Sequence, residues 1–264
     1  MNDSLVSVIL TCYNQEKYLS DALDSVLCQT YSNWECIILN DGSTDDSEKV
    51  ALEYAKKDSR FKYIYQKNQG VVVARNNAVH NSLGKYLLPL DGDDMIANNY
   101  LELAVAELEA DQNIDLVICE VEKFGAEKGS FKLNDICVRN ILANGCCVNC
   151  SMFRRSSYDK IGGYKECMSK GYEDWEFFIS LLEFGGRVKK INQVLFYYRI
   201  IETSRNNKID IETDRKLKAC IVSMHPELYF FEYSKLLDEL KTIKSSKAFW
   251  GYKLLLKIKH FICF

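Results

Sequence analysis

Proline is scarce and long apolar runs are missing, and these absences argue against fibrous, linker-like and membrane-spanning proteins. With 2 prolines and 13 glycines in 264 residues, the composition is neither collagen-like nor that of a linker. The sequence holds no run of about 18 apolar residues, so we expect no membrane-spanning helix. The first 20 residues lack the basic, apolar and cleavage regions of a secretory signal. A globular, cytoplasmic protein is predicted.

The net charge, the cysteine count and the absence of two glycine-rich motifs argue against several further classes of protein. The 34 Lys and Arg against 37 Asp and Glu give a net charge of −3, so no nucleic-acid partner is expected. The 11 cysteines are odd in number and scattered, which indicates reduced thiols. Neither G-x-G-x-x-G after the first apolar run nor G-x-x-x-x-G-K-[ST] anywhere is present. This disfavours a dinucleotide cradle and an ordinary NTPase loop.

Apolar runs alternate with stretches of helical period through the first 120 residues. Strands alternating with helices indicate βαβ units and a parallel sheet, and nearly continuous apolar runs are typical of strands covered on both faces. We therefore predict an α/β fold with a mostly parallel sheet flanked by helices, and a helical C-terminal extension over 210–264. The runs are Leu5–Leu10, Trp34–Leu39, Phe61–Tyr65, Tyr86–Leu90 and Ile114–Cys119.

Three carboxylates follow the fourth run, at Asp91, Asp93 and Asp94. Ligands of open parallel sheets bind at the carboxyl ends of the strands. Clustered carboxylates repel one another unless a cation or solvent offsets their charge, and hard divalent cations prefer oxygen ligands. Alternation along an extended segment puts Asp91 and Asp93 on one side. A metal site is favoured, and the alternative is a solvated acidic turn with Asp94 as a helix cap.

Three further positions are candidates for ligand binding or catalysis. Asp41 ends the second run and can accept hydrogen bonds from a base or ribose, whereas Arg75 carries a planar fork suited to phosphate or a base edge. Glu173-Asp174 opens a helix beside aromatic residues, which can raise a carboxyl pKa and make a general base. The alternatives are a turn-forming Asp-Gly, a solvated arginine and acidic capping of a helix.

Six segments taken together resemble the family 2 glycosyltransferases of the GT-A fold. Each is modestly specific, but all six occur in the family's order between Val6 and Ser204. The resemblance implies a GT-A domain over 1–209, with a nucleotide-sugar half at about 1–95 and an acceptor half at 96–209. The segments are VSVILTCYNQEKYLSDALDSVLCQTYSNWECIILNDGSTDDS, NQGVVVARNNAV, GKYLLPLDGDD, FRRSSYDKIGGY, GYEDWEFFISLL and YYRIIETS.

The resemblance also implies roles for the donor-side residues. They would hold a nucleotide-sugar, most often a UDP-sugar, and the reaction would be an inverting hexosyl transfer to a hydroxyl of a glycan or lipid-linked acceptor, as in polysaccharide biosynthesis. The residues that match the nucleotide-holding positions are Thr11, Tyr13, Asp41, Arg75 and, facing the ribose, Asp91.

The remaining matched positions carry the metal and the base. Asp93 and Asp94 match the acids that bind Mn²⁺ or Mg²⁺ on the diphosphate, and Asp174 matches the base, with Glu173 beside it. One departure is Ile201, where many relatives carry a His. This leaves open a weakly active or non-catalytic nucleotide-binding protein. A sugar-phosphate nucleotidyltransferase is a further alternative, although TCYNQEKYL lacks the Gly-rich basic segment expected there.

The C-terminal segment is basic and amphipathic. From Lys241 to the end there are six Lys and no Asp or Glu, and apolar and basic side chains of 249–264 fall on different faces of a helix. Such a helix is typical of an element lying on an anionic membrane. We expect peripheral association with the cytoplasmic face. The alternatives are a helix packed on the sheet or a dimer contact, and the oligomeric state stays open.

Overall fold

The computed structural model describes residues 4–144, 148–183, 185–201 and 209–245. A turn of 3₁₀ helix lies at Glu166–Met168. The strands are β1 (Val6–Cys12), β2 (Trp34–Asp41), β3 (Phe61–Gln66), β4 (Tyr86–Asp91), β5 (Met95–Ile96), β6 (Ile114–Gly125), β7 (Gly129–Phe131), β8 (Met152–Arg154) and β9 (Arg187–Ile200). The helices are α1 (Leu19–Leu27), α2 (Ser47–Lys57), α3 (Val71–His80), α4 (Tyr100–Ala110), α5 (Val138–Asn144), α6 (Arg155–Ile161), α7 (Glu173–Glu183), α8 (Ile211–Met224) and α9 (Pro226–Ser245).

The described strands form one sheet in the order β3-β2-β1-β4-β8-β6-β9-β5, and β7 pairs with β6. The pairs β3–β2, β2–β1 and β1–β4 are parallel, as predicted from the alternating runs. The short strand β8 lies antiparallel between β4 and β6. The α/β prediction is confirmed, and the sheet is parallel in its first half and mixed in its second.

Apolar side chains cover both faces of the central strands. Every residue of β1 and β2 is buried, because successive side chains of a strand point to opposite faces and both faces are covered. Val8 and Leu10 pack in one cluster with Leu23 of α1. Ile9 packs in the opposite cluster, which includes Val72 of α3. Because β1 pairs in parallel with β2 and with β4, the carboxyl ends of these three buried strands lie at one edge of the sheet.

The chain forms two compact units, Met1–Ile221 and Val222–Phe264. The first holds the sheet, α1–α7 and most of α8, and the second holds α9. The divisions proposed near residue 95 and after residue 209 stay predictions. Within the described residues, no helix combines the length and apolar character needed to cross a membrane. The basic segment 249–264 lies outside the described residues.

Candidate active site

Asp91 at the end of β4 is the centre of a network of side chains. Arg75 of α3 donates from Nη2 to both carboxylate oxygens, at 2.8 and 3.1 Å. Thr11 lies opposite Asp91 in the β1–β4 register, and its hydroxyl donates to Asp91 Oδ1 at 3.4 Å. Asn149, just before β8, donates from Nδ2 to Oδ2 at 3.3 Å. Three elements therefore fix the orientation of one carboxylate.

Arg75 links Asp91 to the first residue of α7. Its side chain is only 3% exposed, and Nη1 donates to Glu173 Oε1 at 3.1 Å. The guanidinium also lies 5.6 Å from the ring centre of Tyr164. Burial alone would lower the pKa of Arg75, but the charges of Asp91 and Glu173 outweigh burial and raise it. Arg75 is thus a permanent cation between two carboxylates from distant segments.

Asp174 lies in the first turn of α7, directly after Glu173. Its Oδ1 accepts a hydrogen bond from the Trp175 amide at 2.8 Å. Burial and then the charge of Glu173 raise the pKa of Asp174 to about 6, while Arg75 acts in the opposite direction. A carboxyl group that titrates near neutrality is suited to general base catalysis. The role of Asp174 as a base stays a prediction.

In the acidic turn after β4, Asp93 and Asp94 have different surroundings. Asp94 is buried, and its Oδ1 accepts a hydrogen bond from the Arg199 amide at 2.8 Å. Burial raises the pKa of Asp93 to about 6, helped by the charge of Asp91. Burial also raises the pKa of Asp94, helped by Asp93 and Asp91. Asp94 therefore ties the turn to β9 through its carboxylate, whereas Asp93 contacts β9 through its backbone carbonyl oxygen.

The donor chemistry of this turn fits a divalent cation in part. The repulsion between Asp91 and Asp93 that raises the Asp93 pKa is the kind that a bound cation relieves. Among the described residues, however, no group of three or more His, Cys, Asp or Glu is placed to hold a metal ion. An ion here would need further oxygen ligands, and Mg²⁺ commonly takes them from substrate phosphates.

Arg199 of β9 secures the acidic turn, a role that the sequence did not reveal. Its Nε donates to the Asp93 carbonyl oxygen at 2.7 Å, and its Nη2 donates to Asp21 Oδ2 at 2.7 Å. The guanidinium lies 4.6 Å from the ring centre of Tyr18 and 4.2 Å from that of Phe124. These contacts fix the backbone that carries Asp93. Ile201, two residues on, is half-buried.

The other two predicted nucleotide residues lie at neighbouring strand ends. Asp41 accepts hydrogen bonds from the Gln66 side chain at 2.7 Å and from the amides of Gln69 and Gly70, both at 2.9 Å. Asp41 thus orders the loop that enters α3. Tyr13 follows β1 and is 50% exposed. The structure joins Thr11, Asp91, Arg75 and Glu173 in one hydrogen-bonded network, while Asp41 ends the neighbouring strand β2 and Tyr13 follows β1.

Two further residues of the site were not predicted from the sequence. Asn149 contacts Asp91 but belongs to no recognisable motif. Asn76 accepts hydrogen bonds at Oδ1 from the Tyr158 hydroxyl, at 2.7 Å, and the Tyr164 amide, at 3.0 Å. It thereby holds the segment FRRSSYDKIGGY against α3, next to Arg75. Only the adjacency of Arg75 and Asn76 in the sequence could have suggested that link.

Comparison with known sequences decides the family. Residues 7–162 match the sequence model of Glycosyl transferase family 2. The chain belongs to this family. It is similar to the putative glycosyltransferase EpsE of Bacillus subtilis, with 32% identity over 202 residues that cover 74% of this chain and 72% of EpsE. Against several other curated glycosyltransferases the chain spans much less, between 16% and 39% of their length.

Solved structures of glycosyltransferases share the fold. The structure of residues 1–349 of Staphylococcus aureus TarS in complex with UDP-GlcNAc matches at a TM-score of 0.70 and 20% identity, covering 82% of this chain and 66% of that one. The mannosyltransferase PcManGT of Pyrobaculum calidifontis, in complex with GDP-Man and Mn²⁺, matches at a TM-score of 0.59 and 15% identity, covering 94% and 82%. The fold of this family 2 chain is therefore GT-A, as the resemblance implied.

Proposed function

We propose that this protein is an inverting hexosyltransferase that moves a sugar from a nucleotide-sugar, most often a UDP-sugar, to a hydroxyl of a glycan or lipid-linked acceptor. The observation that carries the proposal is the buried bridge Asp91–Arg75–Glu173. It joins the donor side of the site, at the end of β4, to the helix whose first turn carries Asp174. The bridge would hold a bound donor and the proposed base at one edge of the sheet.

Asp174 is the proposed general base. Its carboxylate takes the proton of the acceptor hydroxyl, while the hydroxyl oxygen forms a bond to the anomeric carbon. The bond between that carbon and the diphosphate oxygen breaks, and its electron pair leaves with the nucleoside diphosphate. Attack from the face opposite the leaving group inverts the anomeric centre. A positioned base contributes typically about 10²- to 10⁴-fold to the rate.

Asp93 is the proposed protein ligand of Mn²⁺ or Mg²⁺, with Asp91 beside it. When bound, such a cation neutralises charge on the departing diphosphate. PcManGT, which shares the fold, was solved with Mn²⁺ and a nucleotide-sugar bound, and this supports the proposal. Asp94 was also proposed from sequence, but its Oδ1 holds the Arg199 amide. We therefore place Asp94 behind Asp93, where it shapes the turn.

Thr11, Tyr13 and Asp41 complete the proposed donor site. Thr11 supports Asp91, which would face the ribose. The exposed ring of Tyr13 offers an aromatic face of the kind on which bases stack. Asp41 accepts three hydrogen bonds that hold the loop before α3 in place. This loop would then line one side of the nucleotide site. Arg75 acts behind Asp91 and Glu173 rather than as a free cation.

A weakly active or non-catalytic nucleotide-binding protein is the second candidate. One observation favours it: Ile201 stands where many relatives carry a His, and its side chain cannot ligate a metal or contact a diphosphate. A binding protein would retain affinity for UDP and show no transfer that depends on Asp174.

We also propose that the second unit lies on the cytoplasmic face of a membrane. Its helix α9 exposes large apolar side chains, among them Phe230 at 70%, Tyr233 at 58% and Leu240 at 50%, and Lys241 and Lys244 stand in its last turns. Apolar and basic side chains on one helix are typical of binding to an anionic surface. A lipid-linked acceptor would be delivered to the enzyme at that surface.

A donor panel tests the proposed function. Purified full-length protein is incubated with nucleotide-sugars and lipid-linked or glycan acceptors, with Mn²⁺ or with EDTA, and products are identified by mass spectrometry. We expect one donor to yield a glycosylated product and a nucleoside diphosphate in the presence of Mn²⁺. Asp159→Asn, an exposed acid changed in the same way, is the control for Asp174→Asn. UDP binding without any product would support the second candidate.

A further inference from the structure

The loop before α7 is held in place by α8. The hydroxyl of Tyr172 donates to Asp214 Oδ1 at 2.7 Å. Next to it, a Cβ atom on Gly171 would lie only 2.8 Å from Ile209 Cδ1 and 3.5 Å from Leu217 Cδ1. Asp214 and Leu217 are three residues apart and therefore share one face of α8. This face packs directly on the two residues that precede Glu173.

Tyr172, the second of these residues, has a backbone angle that needs support from its surroundings. Gly171 has φ of 146° and Tyr172 has φ of 61°. A positive φ is ordinary for glycine but unfavourable for tyrosine, and such conformations persist where surrounding contacts fix them. The Tyr172–Asp214 hydrogen bond is one of these contacts. The turn it fixes sets the direction in which α7 begins.

Tyr172 is also connected to Asp174 through Trp175. The rings of Tyr172 and Trp175 meet edge to face, with centres 5.4 Å apart. The Trp175 amide donates to Asp174 Oδ1 at 2.8 Å, and its indole Nε1 donates to the Ile141 carbonyl oxygen. A shift of Tyr172 would therefore move the amide that orients the Asp174 carboxylate.

We propose that Asp214 is a positioning residue for Asp174, acting through Tyr172. The inference rests on the proposed function of Asp174 as the base. Asp214 lies beyond residues 7–162, where the family model matches, and no motif in the sequence gives α8 a role in catalysis. The N-terminal part of α8 thus belongs to the active site, and the chain needs it for turnover as well as for stability.

Four variants test this role. Asp214→Ala and Tyr172→Phe each remove the hydrogen bond and should lower kcat by about 10- to 100-fold, the scale expected when a catalytic group is misplaced by about 1 Å. The donor KM should stay near the wild-type value. Asp214→Asn should restore most of kcat, because the amide oxygen accepts the same hydrogen bond. Lys216→Ala is the matched control, since Lys216 lies on the same helix and pairs with the exposed Glu212 instead of Asp214.

Hydrogen exchange measured by mass spectrometry gives a readout that does not need turnover. In Asp214→Ala and Tyr172→Phe, amides of 171–176 should exchange faster while those of β1 and β4 stay unchanged. The double variant should show no further loss of kcat beyond either single one. The proposal is overturned if kcat stays at the wild-type level in folded Asp214→Ala, or if Asp214→Asn is as impaired as Asp214→Ala. Absence of transfer by the wild-type protein would instead count against the proposed function, and unchanged exchange would count against the positioning role alone.

Discussion

Arg75 contacts Asp91 through one terminal nitrogen, which donates to both carboxylate oxygens at 2.8 and 3.1 Å. The other terminal nitrogen reaches Glu173, 98 residues further along the chain. A guanidinium suits this place because its planar fork can serve two carboxylates in a fixed geometry. The first turn of α7 is therefore coupled to the end of β4 through one buried cation.

Replacing Arg75 by Met should destabilise the protein strongly. The change removes a buried positive charge and leaves Glu173, whose side chain is only 4% exposed, without that cation. Breaking a buried ion pair by removing one partner costs about 3–5 kcal/mol, and urea unfolding measures the loss. Arg187→Met is the control, because Arg187 pairs with Asp111 at 3.4 Å with its side chain 62% exposed. Equal losses in the two variants would contradict the bridge.

Asp93 and Asp94 should respond differently to the same substitution. Asp93→Asn should weaken Mn²⁺-dependent binding of UDP by about tenfold or more, equal to about 1.4 kcal/mol, because it removes the proposed ligand charge. Asp94→Asn should have a much smaller effect, since the amide oxygen can still accept the Arg199 amide. Calorimetric titration of UDP with Mn²⁺ and with EDTA measures both. A larger loss in Asp94→Asn would reverse our assignment of the two acids.

The rate should rise with pH through the titration of Asp174. The base must be deprotonated, and burial with the charge of Glu173 raises its pKa to about 6, so kcat/KM should increase up to about pH 6 and level above it. Glu173→Gln removes a negative charge that raises this pKa, so the rising limb should move to lower pH. A limb that stays in place or moves upward would show that another group is titrating.

Glu166→Gln is the control for the pH experiment, because it makes the same change at an exposed position outside the site. The comparison also separates Asp174 from Asp93, whose pKa is raised to about 6 as well. Burial and the charges of Asp91 and Arg199 shift the pKa of Asp93. The main charge that shifts the pKa of Asp174 is Glu173. Only the Asp174 limb should respond to Glu173→Gln.

The C-terminal segment should bind anionic vesicles. Deleting residues 247–264 removes four Lys, each contributing about 1 kcal/mol near an anionic surface. Co-sedimentation with phosphatidylglycerol vesicles should fall in the deletion variant, and phosphatidylcholine vesicles should bind neither protein strongly. Lys56→Ala with Lys57→Ala on α2 is the charge control. Unchanged sedimentation after the deletion would refute the membrane proposal.

The sheet could be predicted from sequence because its main strands are buried on both faces. β1, β2 and β4 leave long apolar runs, and their spacing implies parallel pairing. β5 and β8 have only two and three residues, too few for a period to be recognised. The antiparallel insertion of β8 between β4 and β6, which makes the second half of the sheet mixed, could therefore not be predicted from the sequence.

The acids of the candidate site could be predicted from the sequence, but the different contacts that each acid makes could not. Asp91, Asp93 and Asp94 look alike in sequence, and only the Arg199 amide, 105 residues from Asp94, distinguishes Asp94 from Asp93. Arg154 shows the same limit, because its guanidinium donates to the carbonyl oxygens of Ile114 and Asp111. Such partners are backbone atoms of distant segments, and no local pattern marks them.

Asp174→Asn tests the central claim most directly. The variant removes the base and keeps the shape of the side chain, so UDP with Mn²⁺ should bind as tightly as to the wild-type protein, while sugar transfer from the preferred donor should fall by about 10²-fold or more. Turnover and calorimetric affinity are measured on the same preparations, beside Asp159→Asn. Transfer that persists near the wild-type rate, or UDP affinity lost together with turnover, would contradict the account.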